Sequence, residues 1–120
     1  MAKLATDGIL DGGLDKIGGC TKLTVCAGQP TNYADIAVRA LATATLTGGS
    51  FTKANGDTSG RKTTIASQSS MSITGTGTAD HVVVDDGTSE YEVTTSTSQA
   101  LTSGGTVTSP AFDIEIADPV

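Results

Sequence analysis

The sequence has no tryptophan, and its aromatic side chains are Tyr33, Phe51, Tyr91 and Phe112 alone. A chain this poor in aromatics must fill its core with Val, Ile, Leu, Ala and the methyl groups of Thr. It also has few surfaces on which a base or a sugar ring can stack. Positive charge is missing from half of the molecule: all seven Lys and Arg lie at or before Lys62, and His81 is the only basic side chain after it. Residues 63–120 carry Asp80, Asp85, Asp86, Glu90, Glu92, Asp113, Glu115 and Asp118, a charge of −8. Residues 1–62 set seven cations against five acids, giving +2 and the net −6 of the chain. With no basic stripe, direct nucleic-acid binding is argued against. A molecule polarised this way can dock one face and present an anionic one elsewhere.

Long apolar runs are absent too. None approaches the roughly 20 residues that cross a bilayer, so no membrane partner is expected, and the first residues lack the basic and apolar blocks of a signal peptide. The expectation is a protein that stays in the cytosol or leaves it only inside something larger. Cysteine occurs twice, and the spacing of Cys20 and Cys26 fits neither a zinc knuckle nor a redox Cys-x-x-Cys pair. Buried, reduced thiols are expected.

What the chain has in excess is 21 Thr, 11 Ser and 15 Gly. β-Branched Thr suits a pleated, half-exposed surface, and Gly supplies tight turns. The fold class expected is mainly β: an antiparallel β-sandwich or barrel-like domain over residues 1–120, with one short N-terminal helix in a segment 1–19 and a β core over 20–120. Ile9, Leu10, Leu14 and Ile17 recur at helical spacing behind Thr6 and Asp7, which predicts a helix over residues 7–17. Gly12 and Gly13 each cost it about 1 kcal/mol relative to Ala, so it needs packing to persist. Strands are expected at residues 22–26, 41–46, 62–66, 70–74, 81–84, 90–94, 106–108 and 112–116, with a short piece from Phe51. Residues 33–40 suit either a helical turn or an extended connection. Residues 75–78 read as a link, residues 55–60 as a polar tip, and Asp85-Asp86-Gly87-Thr88 as the turn of an antiparallel hairpin. In the last strand Phe112, Ile114 and Ile116 point one way, and Asp113 and Glu115 the other.

Chemistry-bearing constellations are few. Asp80-His81 in a Ser- and Thr-rich chain invites a triad, yet no Gly-x-Ser-x-Gly elbow occurs, so His81 reads as an ordinary strand residue and no catalytic residue is assigned. Asp85, Asp86 and Glu90 surround a Gly turn but lack the alternate acids and twelfth-position Glu of an EF-hand loop, so no metal ligand is assigned. Gly75-x-Gly77 precedes no helix pattern and is no dinucleotide fingerprint. Lys53, Arg61 and Lys62 flank the polar tip and read either as a solvated loop end or as an attachment patch.

Five segments, in order along nearly the whole chain, resemble a small virion structural protein of tailed bacteriophages and prophages. They are Ile9-Leu10-Asp11-Gly12-Gly13-Leu14, the run from Leu23 through Gly28-Gln29-Pro30-Thr31-Asn32-Tyr33, Ser59-Gly60-Arg61-Lys62, Gly77-Thr78-Ala79-Asp80-His81-Val82, and Ala111 through Phe112-Asp113-Ile114-Glu115-Ile116 to Asp118-Pro119. Phe112 stands where Trp is familiar in such proteins. The resemblance implies a capsid decoration (cement) protein on the virion surface, assembled in the host cytoplasm, with no enzyme activity and no cofactor. Its partners would be the major capsid protein and copies of itself, a trimer at local threefold positions being the natural arrangement. A neck or tail component is the alternative within virions, and a carbohydrate-binding or adhesion module the alternative outside them. The contacts expected are Met1, Ala2, Lys3 and Leu4, within an N-terminal segment Met1–Leu10 that supplies apolar burial, with Lys53, Arg61 and Lys62 supplying charge.

Overall fold

The structure, a computed structural model, describes residues 6–57 and 59–116. It is 51% strand and 19% helix, so strand exceeds helix by more than two to one, as the Thr, Val and Ile alternation predicts. Among the described residues nine strands form three antiparallel sheets that remain separate, a sandwich-like arrangement. The molecule is elongated, 54 × 26 × 26 Å.

The largest sheet has the order β2-β1-β6-β7, with β1 at Lys22–Cys26, β2 at Ala40–Thr45, β6 at Gly77–Asp85 and β7 at Tyr91–Leu101. Leu23 lies between Val84 and Ala44, and Val25 between Val82 and Ala42, so one face of β1 is a stripe of aliphatic side chains. A strand with one buried face would leave Thr24, on the side away from Leu23 and Val25, in solvent. Instead every residue from Leu23 to Cys26 is buried. The cause is the segment that sequence left open: residues Tyr33–Arg39 form helix α2, whose Ile36 is buried with Cys26 and Val83 on the second face of the sheet. Asn32, at the N-cap of α2, accepts the Asp35 N–H at 2.9 Å and satisfies one of the orphan donors of the first turn.

A second sheet, β3-β4-β9, joins Phe51–Asn55, Arg61–Ile65 and Phe112–Ile116. A third pairs β5 (Gln68–Ser72) with β8 (Thr106–Ser109). Both close over the aliphatic face of the first sheet, where Ile65, Met71, Ile73 and Leu101 join Leu23, Val25 and Val84 in the main core. Each such side chain taken fully out of water stabilises the fold by about 1.5–3 kcal/mol. Helix α1 (Asp7–Gly18; numbered before α2 in chain order) lies on the second sheet, with Leu10 and Leu14 buried. Thr6 occupies its N-cap position without a side-chain cap bond.

Two expectations change. Residues 75–78 are only partly a link, because β6 already begins at Gly77. The strand expected to end at Thr94 runs on to Leu101, taking in the Thr- and Ser-rich stretch, and becomes the longest of the fold at 11 residues. The reason is tertiary: the Gly77 end of β6 pairs with Leu101, so Ser and Thr residues with weak local preference are drawn into the ladder. Among the described residues no helix is long and apolar enough to cross a membrane.

Candidate functional surfaces

The cations at the polar tip do not form one patch. Arg61, Thr63 and Ile65 share the face of β4 that carries α1, and Lys53 lies directly opposite Thr63 on that face. Arg61 Nε donates to Asp11 Oδ1 on α1 at 2.9 Å, with its Nη1 on Asn55 at 2.9 Å. Lys53 pairs with Asp15, one helical turn beyond Asp11. Lys62 points to the opposite face, bridging Asp57 at 2.7 Å and Asp113 at 3.1 Å. Each of the three is therefore engaged inside the chain, and two of them fasten α1 to the sheet. The Arg61 guanidinium holds the Asp11 carboxyl below the usual carboxylate range, and the Asp15 carboxylate raises Lys53. Among the described residues Lys16 and Lys22 form no ion pair. Met1, Ala2, Lys3 and Leu4 lie outside the described residues; of the rest of the expected apolar segment, Leu10 is buried within the chain and Ile9 is exposed.

The β6–β7 hairpin explains the acids that looked like a cation site. Asp86 Oδ1 accepts the backbone N–H groups of Thr88, Ser89 and Glu90 at 2.9, 3.1 and 3.2 Å, which lowers its pKa to about 2. Asp85 is buried, and its Oδ1 accepts the N–H of Gly87, whose φ of 87° few other residues adopt. These carboxylates build the turn. Asp80 likewise serves structure: its Oδ1 accepts the Gly28 N–H at 2.7 Å and lies 2.7 Å from His81 Nδ1. The His81 hydrogen bond, then that of Gly28, lowers the Asp80 pKa. The pair ties β6 to the loop after β1.

The cysteines sit on opposite faces of the first sheet, Cys20 in the main core and Cys26 beneath α2, so the sheet itself keeps them apart. Both are free, and burial pushes each thiol up to about 11.

Sequence reading missed the surface along β7. This strand is the open edge of the first sheet, exposed over residues 95–100. Its register with β6 runs from Thr95↔His81 to Gln99↔Ala79, leaving two surplus residues on β7 opposite Asp80. The surplus bulges the strand, and a groove of about 530 Å³ opens between its residues 94–97 and the corner at Ser109 and Pro110, with Val82 and Phe112 also lining it. Among the described residues no side chain lining it is charged. The signal available in sequence was the uncharged, β-branched run from Val93 to Leu101, without Lys or Pro.

No protein-family model, curated protein or solved structure matches this chain.

Proposed function

We propose that this chain is a structural protein of a tailed-bacteriophage virion, one that binds the assembled capsid in many copies and stabilises it. The observation that carries the reading is that the segments resembling phage virion proteins meet one another in the fold. Asp11 of the first segment bonds Arg61 of the third, a Cβ on Gly13 would fall 2.9 Å from Ile116 of the last, and Gly28 of the second donates to Asp80 of the fourth. These contacts make the resembling segments parts of one packed unit, and the family reading rests on their resemblance in sequence.

The mechanism is mass action combined with multivalency. A ligand that binds only the assembled lattice stabilises it by an amount set by its concentration over its dissociation constant. Residues 1–4 supply apolar burial at the contact. The contact uses one side of the second sheet, either Lys53 and Arg61 or Lys62, whose internal carboxylates are exchanged for those of the shell, and the charge tunes rate and orientation.

The test is co-sedimentation of the purified protein with expanded empty capsids, together with its copy number in purified virions. Saturable binding and a copy number comparable to that of the major capsid protein are expected. A handful of copies, recovered with necks or tails, assigns the chain there and overturns the decoration reading. Deleting residues 1–6 weakens capsid binding at every salt concentration, whereas R61E/K62E slows it chiefly at low salt, with a parent-like circular dichroism spectrum required because Arg61 also holds α1.

A further inference from the structure

Every sheet edge poses the same physical problem, because it presents unpaired N–H and C=O groups that template a further strand. The edges of this fold solve it differently. At β2, the Leu41 carbonyl accepts N–H groups from Thr74 and Gly75, and Ala42 bridges to Ile73, so the edge is covered. At β9, antiparallel self-pairing about Ile114 sets Asp113 against the Glu115 of a second copy. At β3, self-pairing about Lys53 sets Lys53 against itself. Like charges directly opposite one another destabilise a strand pair. Strands β5 and β8 are short, at 5 and 4 residues. Strand β7 is long, exposed over residues 95–100 and uncovered by any other described residues, with Glu92 as its one charged residue.

We infer that β7 is a self-recognition edge, pairing antiparallel with β7 of a second copy about a two-fold axis through Ser96. The strand reads nearly alike in both directions from that residue. In this register Thr95 faces Thr97 of the copy, Thr94 faces Ser98, Val93 faces Gln99, Glu92 faces Ala100 and Tyr91 faces Leu101. Thr–Thr, Thr–Ser and aromatic–aliphatic pairs are favourable cross-strand neighbours, and no charge meets its like.

Electrostatics selects the direction. The acids of the hairpin, Asp85, Asp86, Glu90 and Glu92, gather at the Tyr91 end of β7. Parallel pairing would bring both acidic ends together in a molecule of net charge −6. Antiparallel pairing about Ser96 holds the two Glu92 eight residues apart along the ladder, about 27 Å, which is well beyond the screening length of physiological salt. The bulge spans residues 96–98, beside the two-fold at Ser96, so both copies carry the same extra twist near where they meet. The product is a continuous sheet of order β2-β1-β6-β7 joined to its symmetry mate, with the Thr- and Ser-lined groove of each copy along the junction. An isologous pair of this kind closes at two, so a threefold arrangement would need a different surface. The inference stands whether or not the chain belongs to a virion.

The experiment is sedimentation equilibrium under reducing conditions, from about 10 µM to about 1 mM, a range that brackets weak specific association. The parent chain is expected to rise from its 11.9 kDa monomer toward twice that mass. In T95K/T97K each Lys faces a Lys of the copy, and association weakens at least tenfold. In T95K/T97E each Lys faces a Glu, so association returns and becomes salt-sensitive. Both positions are exposed, and a parent-like circular dichroism spectrum establishes that the variants fold. A parent that stays monomeric at the highest concentration, a trimer, undiminished association of T95K/T97K, or equal loss in both variants overturns the inference.

Discussion

Arg61 on β4 reaches both carboxylate oxygens of Asp11 on α1, through Nε at 2.9 Å and Nη2 at 3.4 Å, across 50 residues of chain. The pair is partly shielded, with side-chain exposures of 17% and 22%, and it joins the Lys53–Asp15 pair in fixing where the helix lies. Replacing Arg61 by Gln should therefore release α1 without disturbing the first sheet. Hydrogen exchange of amides 7–18 is expected to accelerate, while that of β1 and β6 stays as in the parent. Equal acceleration in both would show that α1 and the sheets open as one unit.

Acid should destabilise the fold through several carboxylates at once. Asp11, Asp35, Asp80, Asp86 and Asp113 all have pKa values lowered by hydrogen bonds, from Arg61, Arg39, His81, the Thr88 N–H and Thr64 respectively as the leading causes. A depressed folded-state pKa contributes stability above the unfolded value of about 3.9 and loses it as pH falls through the folded value. Glu92, raised by burial, acts in the opposite sense. The urea midpoint should hold down to about pH 5 and fall steeply between about pH 4 and about pH 2. In D86N the share lost near pH 2 should disappear.

Two neighbouring glycines of α1 should respond differently to a methyl group. A Cβ on Gly12 meets nothing within 4 Å, so Gly12→Ala should stabilise by about 1 kcal/mol through helix propensity and the unfolded state. On Gly13 the same atom would lie 2.9 Å from Ile116 Cδ1, which must move. Gly13→Ala should gain less than Gly12→Ala or lose stability, and thermal midpoints of the two variants decide it.

Thr24 and Thr63 are fully buried, and neither hydroxyl oxygen has a hydrogen-bond partner among the described residues. Valine has nearly the same shape and no hydroxyl to desolvate. Thr24→Val and Thr63→Val should each stabilise the protein by about 1 kcal/mol, read as a higher midpoint in urea. A loss at either site would reveal a partner for the hydroxyl.

With their pKa values pushed up to about 11, Cys20 and Cys26 are almost entirely protonated at pH 8. An aromatic disulfide reagent should modify neither thiol rapidly in the folded protein and both after unfolding, because the thiolate is the nucleophile. Rapid native labelling of one site would identify a sheet face that opens readily.

Local pattern determined much of this protein. Alternation alone located β1, β9 and the β6–β7 hairpin, because a period of two and an Asp-Gly turn act over a few residues. The apolar residues 9, 10, 14 and 17 were enough to mark α1. Tertiary structure decided what depends on a distant neighbour: that α2 covers the Thr24 face, that β7 continues to Leu101, and that Lys53 and Arg61 turn inward to α1 while Lys62 turns to the other side. Charge and exposure at those positions are properties of pairs far apart in sequence, such as Asp11 with Arg61 or Gly28 with Asp80. No periodicity along one stretch of chain encodes them; the packing of one element on another does.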